Sequence, residues 1–232
     1  MSPALSEFRA GIIAIIPASI AALPFGLLFG AVAAAKGLTP LEVLLMSLMV
    51  FAGGAQFAAV DQWTAPAAIG SLAFATLLIN ARHIMMGASL TPKTGAFSAP
   101  QRYLAMFFMA DENWAMAERR AAAAPLTPAY YFGMVALFYL NWQAVTVAGA
   151  FVGPLLGDPA RLGADFAFTA IFIGLIAGFW KGRVTLATIV ASAGVSALVK
   201  ITAGAPWHVP AGAIAGIVAA YWAAEPSKEP RT

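Results

Sequence analysis

The chain has 232 residues, of which 61% are hydrophobic and 10% are charged, with a formal net charge of +3 and a mean hydropathy of +0.82. Soluble domains are typically about 45–50% apolar and about 25% charged, because a folded globule must cover its core with polar groups. The composition therefore argues against a soluble enzyme, a nucleic-acid-binding domain and a disordered chain, and it indicates a bilayer as solvent. The 13 basic residues are dispersed along the chain, as anchors of membrane segments would be.

Hydropathy divides the chain into eight apolar segments, each near the ~20 residues that cross a hydrocarbon core of about 30 Å. In chain order the segments are residues 8–35, 41–60, 66–90, 102–118, 129–156, 163–180, 184–202 and 206–224. We therefore predict an all-α integral membrane protein with seven or eight transmembrane helices, in one polytopic domain over residues 1–232 with a polar tail at 225–232. Segment four is the weakest because its second half is charged, and it fits a short span, a re-entrant piece or an interfacial helix.

Two segments contain features that can interrupt a membrane helix. Segment one is longer than a ~30 Å core requires at about 1.5 Å per residue, so we expect it to tilt or break, with Pro17 and Pro24 as break points. Segment two contains Gly53 and Gly54, which weaken a helix. This pair predicts either a very close helix contact or an unwound stretch that lines a cavity.

A glycine motif occurs twice, once in each half of the chain. An offset of 123 residues aligns Gly26-x-x-x-Gly30 with Gly149-x-x-x-Gly153. Transporters are often built from related halves, so residues 8–120 and 128–224 are candidate repeat halves. The motif is also common wherever membrane helices approach closely, and that alternative stays open. The distribution of Lys and Arg between loops slightly favours a cytoplasmic N-terminus.

Segment three carries polar residues at membrane depth, where each needs a partner or a function. Asn80 and His83 are three residues apart and share a helix face, while Arg82 lies roughly opposite Asn80. The functional interpretation is a cavity lined by Asn80 and His83, with Arg82 paired to a carboxylate of the substrate or of the protein. The alternative is a helix end, at which Arg82 extends to the interface and His83 makes a local contact.

Segment four carries two consecutive acids, Asp111 and Glu112. Because consecutive residues lie about 100° apart on a helix, one acid can face an aqueous path while the other faces a basic partner. The functional interpretation is proton coupling, with His83 as a further candidate, or recognition of a substrate ammonium, since a desolvated carboxylate can hold a proton. The alternative is the polar end of a short helix.

Gln56 follows the glycine pair, where its amide could bind a substrate. An unwound helix there would expose N–H groups suited to a carboxylate and C=O groups suited to an ammonium. The alternative is a tight helix crossing with Gln56 hydrogen-bonded across it. Asn141, Gln143 and Asp165 are weaker candidates, because interhelical hydrogen bonds and a charge at a helix N-terminus explain them equally well.

No motif for catalysis or cofactor binding occurs in the sequence. A phosphate-binding Gly-x-x-x-x-Gly-Lys-Ser/Thr sequence is missing, and the chain has no cysteine to ligate a metal or act as a nucleophile. His83 and His208 lie in no metal-binding spacing. We therefore expect no metal, no cofactor, no catalytic residue and no enzyme activity.

Five short motifs in this order resemble the AzlC family, the large subunit of bacterial branched-chain amino acid exporters. They are residues 24–30 (PFGLLFG), 51–57 (FAGGAQF), 80–83 (NARH), 110–112 (ADE) and 142–143 (WQ). The similarity runs from about residue 8 to residue 220, and the family's Asn-Leu-Arg-His motif has Ala81 in place of leucine. The resemblance implies an inner-membrane permease that works with a small AzlD-like membrane subunit. It also implies export of branched-chain amino acids, in some members methionine, driven by the proton gradient.

The sequence thus predicts a proton-coupled exporter of a small apolar amino acid in the bacterial inner membrane. Around the expected zwitterion and its aliphatic side chain we predict seven substrate-binding residues: Phe25, Phe51, Gly53, Gly54, Gln56, Asn80 and Arg82. One rival interpretation is a non-transporting scaffold or assembly subunit, for which these polar residues would be dispensable. A second rival is an integral-membrane enzyme that uses the two acids and His83.

Overall fold

A computed structural model of the protein describes residues 2–64, 66–67, 69–156, 173, 176–177, 180, 182–204 and 207–224. All regular secondary structure in these residues is helical, which confirms the predicted all-α class. The chain divides into two compact units, Met1–Ala164 and Asp165–Thr232.

The first unit contains eight described α-helices and one short 3₁₀ turn at Thr91–Lys93. The helices are α1 (Pro3–Ala35), α2 (Pro40–Met49), α3 (Gly53–Asp61), α4 (Ile69–Asn80), α5 (Arg82–Leu90), α6 (Ala99–Phe107), α7 (Asp111–Ala123) and α8 (Pro128–Leu156). In the second unit the described helices are α9 (Arg183–Thr202) and α10 (His208–Ala223). They pack closely, since a Cβ at Gly212 would lie 1.9 Å from the hydroxyl of Ser196.

Three described helices are long and apolar enough to cross a membrane, where seven or eight spans were expected. They cover Pro3–Ala35, Pro128–Leu155 and Arg183–Thr202, and Pro40–Met49 and His208–Ala223 are shorter apolar helices. The expected segments two, three and four are each divided into two shorter helices.

Pro17 and Pro24 lie inside α1 and do not end it, so the prediction that they break segment one is wrong. A proline removes only one backbone hydrogen bond from its helix. Packing against α8 along most of the length of α1 explains why the helix continues.

Glycines let α1 and α8 pack backbone against backbone. A Cβ at Gly30 would lie 2.0 Å from the carbonyl oxygen of Thr146, and a Cβ at Gly149 would lie 2.1 Å from that of Leu27. The two Gly-x-x-x-Gly motifs therefore face each other in one interface, which is the arrangement such motifs favour.

The same contacts give the direction of the two helices. Near their N-terminal ends Gly133 abuts Phe8, and near their C-terminal ends Gly153 abuts Ala31. Helices α1 and α8 therefore run parallel. A duplication of the chain remains a prediction.

Helices α2 and α3 form a hairpin that turns back before crossing the unit. The amide Nε2 of Gln56 donates to the hydroxyl of Ser47 over 3.0 Å. Nine residues separate the two, so they could not be in contact if the chain continued in one direction. Nζ of Lys36, at the end of α1, lies 3.4 Å from the carbonyl oxygen of Asp61, at the end of α3. The hairpin therefore opens at the C-terminal end of α1. Its helices have 10 and 9 residues, about half of a ~30 Å core at ~1.5 Å per residue.

Helices α6 and α7 form a second hairpin, which opens at the opposite end. The ring of Phe97, just before α6, lies 5.9 Å from the ring of Tyr131 near the start of α8. At the far end of α7, Nη2 of Arg120 donates to both carboxylate oxygens of Glu7 near the start of α1, over 3.1 Å each. Segment four therefore reverses direction within the unit, and whether it spans, re-enters or lies at the interface of a membrane stays a prediction.

Helices α4 and α5 connect the two ends of the unit. They follow α3 and lead to α6, and α5 runs beside the second hairpin. Its Arg82 contacts Asp111 at the start of α7, and Ser89, two turns later, accepts from the indole of Trp114 over 3.0 Å. The first unit thus contains two hairpins that open at opposite ends.

Candidate functional site

The first interruption is the tip of the α2–α3 hairpin, residues 50–52. Val50 has φ −123° and ψ 82°, and Ala52 has φ −151° and ψ 91°, so neither is helical and Ala52 is extended. The break precedes the glycine pair, and Gly53 and Gly54 begin α3. A Cβ at Gly53 would lie 3.1 Å from the indole ring of Trp142, which fits the close contact among the two alternatives. The unwound stretch lies just before the glycine pair, and that it lines a cavity stays a prediction.

Side chains of α8 bind the carbonyl groups that the break leaves without a helical partner. The last carbonyls of a helix have no N–H four residues later, and in a membrane they must be satisfied by other groups. Gln143 Nε2 donates to the carbonyl oxygen of Ser47 over 3.1 Å. The hydroxyl of Tyr139 donates to the carbonyl oxygen of Leu48 over 3.0 Å. These bonds hold the end of α2 against α8.

Gln56 belongs to a buried hydrogen-bond network. Its Oε1 accepts from Nε1 of Trp142 over 2.9 Å, and its Nε2 donates to the hydroxyl of Ser47. That hydroxyl also lies 3.1 Å from the hydroxyl of Thr146, and Gln56, Ser47 and Thr146 are fully buried. Both ends of the Gln56 amide are thus bonded to protein, as in the structural alternative for this residue.

The second interruption is the tip of the α6–α7 hairpin, residues 108–110. Asn113, fully buried, bridges it with both ends of its amide. Its Oδ1 accepts from the N–H of Ala110 over 2.9 Å, and its Nδ2 donates to the carbonyl oxygen of Phe108 over 2.8 Å. The side chain thereby caps α7 and fixes the reversal of the chain.

The third interruption is a tight kink at Ala81, between α4 and α5. Ala81 keeps helical angles, and the N–H of Ile84 bonds to the carbonyl oxygen of Ala81 in place of a full α-helical turn. His83 joins this kink to the second hairpin. Its Nδ1 lies 3.1 Å from the carbonyl oxygen of Asn80, and its Nε2 lies 3.1 Å from that of Met109.

Arg82 and Asp111 form an ion pair across the same junction. Nη1 of Arg82 lies 2.6 Å from Oδ2 of Asp111, and both side chains are partly shielded. Asp111 begins α7, where a negative charge also interacts favourably with the helix dipole. Glu112, the next residue, is exposed. The sequence analysis left open whether Arg82 pairs with a carboxylate of the substrate or of the protein. In this structure its partner is Asp111.

Two of the three interruptions meet at one aromatic side chain, Tyr139, and the third is joined to the second hairpin through His83. Its ring centroid lies 5.0 Å from that of Phe51 at the first tip and 5.0 Å from that of Phe108 at the second tip. Phe25 is partly buried against the apolar cluster that contains Phe51. Met109, next to Phe108, is the residue bound by His83. We take this junction, halfway along α8, as the candidate site.

The remaining predicted site residues differ in their surroundings. Asn141 donates from Nδ2 to the carbonyl oxygen of Ser19 on α1 over 3.0 Å, which is an interhelical bond. Gln143 Oε1 and Asn80 Oδ1 are buried and accept no hydrogen bond from the described residues. Asp165 lies outside the described residues.

The sequence analysis missed Tyr139 and Asn113. Tyr139 has a polar hydroxyl two residues before Asn141 and belongs to the same span, which is the signal that could have drawn attention to it. Asn113 lies three residues after Ala110, a spacing at which a side chain caps a helix N-terminus. Neither signal shows that the side chain binds backbone groups of an interrupted helix in the interior of the unit.

Comparison with known proteins gives the family. The family model described as AzlC protein matches residues 17–156, more than half of the chain. The branched-chain amino acid transport protein AzlC of Bacillus subtilis is 28% identical over 75% of this chain and 68% of its own length. The inner membrane protein YgaZ of Escherichia coli is 27% identical over 98% of this chain and 96% of its own length. An uncharacterized membrane protein of Haemophilus influenzae is 30% identical over 72% of this chain and 69% of its own length. No solved structure matches the chain significantly.

Apolar helices, opposed hairpins and an ion pair at the junction of interrupted helices define a polytopic helical membrane protein. The chain belongs to the AzlC family, as its five motifs indicated. This family is associated with membrane transport.

Proposed function

We propose that the protein exports branched-chain amino acids, with methionine as a further substrate, across the bacterial inner membrane. The observation that carries this proposal is the junction of three helix interruptions, two of which contact Tyr139 while the third is joined to them through His83. Interrupted helices are the usual way for a transporter to present backbone groups to a polar substrate at membrane depth. The relative from Bacillus subtilis, a branched-chain amino acid transport protein, suggests the class of substrate.

In this proposal the substrate's zwitterion binds polar groups at the interruptions. The N-terminus of α3, at Gly53 and Gly54, has no side-chain cap, and its N–H groups suit the carboxylate. The buried Oδ1 of Asn80 accepts no bond from the described residues and suits the ammonium. Gln56 contributes indirectly, because both ends of its amide already bind protein.

The charged and apolar neighbours complete the proposed site. Phe25 and Phe51 belong to or pack on one buried cluster, which provides an apolar surface for an aliphatic side chain. Arg82 binds the substrate carboxylate only in a state in which Asp111 has released it, so binding and the ion pair are alternatives.

The competition at Arg82 gives a proposed route for proton coupling. Protonation of Asp111 removes the negative charge that holds Arg82, and Glu112, exposed at the next position, is a further proton acceptor. His83 links the same hairpin to α5. A proton bound here would therefore change how the second hairpin is held.

Purified protein in proteoliposomes tests the proposal, with and without a small AzlD-like membrane subunit as partner. Vesicles loaded with labelled leucine, valine, isoleucine or methionine are given a pH gradient, and loss of label is followed. We expect gradient-dependent efflux that unlabelled leucine competes with and that a proton ionophore abolishes. Lack of gradient-dependent flux of all four amino acids, with the partner present, would overturn the proposal in favour of the scaffold.

A further inference from the structure

We propose that Tyr139 positions both hairpin tips and thereby sets the size of the side chain that can pass between them. The inference rests on the proposed function for its transport readout, and on the geometry of the junction for a second, independent readout. Tyr139 would be a positioning and specificity-determining residue.

The hydroxyl of Tyr139 fixes the first hairpin. It donates to the carbonyl oxygen of Leu48 over 3.0 Å. Because α2 ends at Met49, this carbonyl has no N–H partner within its own helix. The hydroxyl thus replaces the missing helical bond and ties the last turn of α2 to α8.

The ring of Tyr139 separates the two tips. Phe51 meets it at an interplanar angle of 73° and Phe108 at 79°, both at centroid distances of 5.0 Å. These edge-to-face contacts are favourable and directional. One ring is therefore in contact with both tips, and its volume sets the gap between Phe51 and Phe108.

The backbone that carries Tyr139 is held firmly. Asn141, two residues later, is bonded to α1, and Gly149 lets α8 pack directly against the backbone of Leu27. A change in the Tyr139 side chain is therefore taken up by the hairpin tips, which are short and not helical, rather than by α8.

Tyr131 is a matched control on the same helix. Its hydroxyl donates to the carbonyl oxygen of Ala105 in the last turns of α6 over 2.8 Å, so its removal also deletes one tyrosine bond to a hairpin helix. Its ring contacts Phe97 and Phe132, which lie outside both tips.

The first experiment measures substrate selection in proteoliposomes for wild type, Tyr139→Phe, Tyr139→Leu and Tyr131→Phe. The readout is kcat/KM for phenylalanine relative to leucine. Because a pocket contact discriminates by about 10–200-fold per methylene, we expect Tyr139→Leu to raise this ratio about tenfold. Tyr139→Phe keeps the ring, so its ratio should stay at the wild-type value, as should that of Tyr131→Phe. A wild-type ratio in folded Tyr139→Leu would overturn the inference.

The second experiment needs no transport activity and also serves if Tyr139→Leu fails to fold. Hydrogen exchange is followed in detergent for peptides that cover residues 46–52 and 103–109. Tyr139→Phe should speed exchange in the first peptide, where the N–H of Val50 bonds to the carbonyl of Met46, and Tyr131→Phe should speed it in the second. Equal exchange of residues 46–52 in wild type and Tyr139→Phe would overturn the positioning role. Failure of all amino acid flux in the wild type would instead overturn the proposed function.

Discussion

Nε2 of His83 lies 3.1 Å from the backbone oxygen of Met109, so a side chain at the kink of α4–α5 holds the tip of the second hairpin. The other ring nitrogen faces a second acceptor, the carbonyl oxygen of Asn80, also at 3.1 Å. Both ring nitrogens therefore face backbone oxygens, one on α4 and one at the tip of the second hairpin.

Replacing His83 should loosen the second hairpin. In His83→Ala the carbonyls of Asn80 and Met109 lose their partners, so we expect faster hydrogen exchange over residues 108–113 and lower amino acid flux. The loss of a hydrogen bond typically destabilises by about 0.5–1.5 kcal/mol. His208→Ala is the control, because its Nδ1 has no partner among the described residues. Unaltered exchange over 108–113 in His83→Ala would show that the bridge does not hold the tip.

Replacing Asp111 or Glu112 by its amide should weaken transport driven by a pH gradient without stopping amino acid exchange. Asp111→Asn keeps the shape of the side chain but cannot lose a proton, so flux driven by a pH gradient should fall while exchange of leucine for leucine continues. Glu112→Gln tests the adjacent acid in the same assay. The ion pair with Arg82 is partly exposed, and its loss should lower stability by about 1 kcal/mol, the upper end of the range for exposed pairs.

Glu118→Gln is the matched control for these variants. Glu118 lies on the same helix and pairs with Lys93 at the open end of the hairpin, away from the tip. We expect its gradient-driven flux to match the wild type. If Asp111→Asn and Glu112→Gln both keep full gradient-driven flux, neither acid carries the coupling proton.

Much of the architecture could be foreseen, but the path of the chain within each segment could not. Composition and the length of the apolar runs are enough to predict a membrane protein of the all-helical class. The glycine pair also marked the first interruption to within a few residues. Hydropathy does not tell a span from a hairpin of two half-length helices, because both bury the same apolar residues. The reversal at residues 50–52 is visible only through contacts such as that between Gln56 and Ser47.

The candidate site, too, could be predicted only in part from the sequence. The sequence singled out Gln56, Asn80, Arg82 and Asp111 because they are polar residues within apolar segments. It could not assign partners such as Trp142 for Gln56, 86 residues away, because pairing depends on tertiary packing. Tyr139 was missed because an aromatic residue in an apolar span resembles ordinary core.

Labelling from each side of the membrane should distinguish hairpins from spans. The chain has no cysteine, so single substitutions can be introduced without a background. Lys36→Cys and Gln62→Cys flank the first hairpin, and both residues are exposed. We expect an impermeant maleimide to label both from the same side, because α2–α3 turns back. Lys93→Cys and Arg119→Cys flank the second hairpin and should both be labelled from the other side. Labelling of Lys36→Cys and Gln62→Cys from opposite sides would mean that segment two crosses the membrane.

The packing of α1 on α8 should depend on glycine at the close contacts. In Gly30→Ala the new methyl group would lie 2.0 Å from the carbonyl oxygen of Thr146, and backbone cannot move aside without separating the helices. We expect a loss of about 1–3 kcal/mol, the usual range for overpacking, and a lower midpoint of thermal unfolding in detergent. Gly70→Ala is the control, since a Cβ there meets nothing within 4 Å and alanine favours helix by up to about 1 kcal/mol. Because α8 carries Tyr139, Gly30→Ala should also lower amino acid flux, whereas Gly70→Ala should not. Equal unfolding midpoints for the two variants would show that α1 and α8 are not held together at this contact.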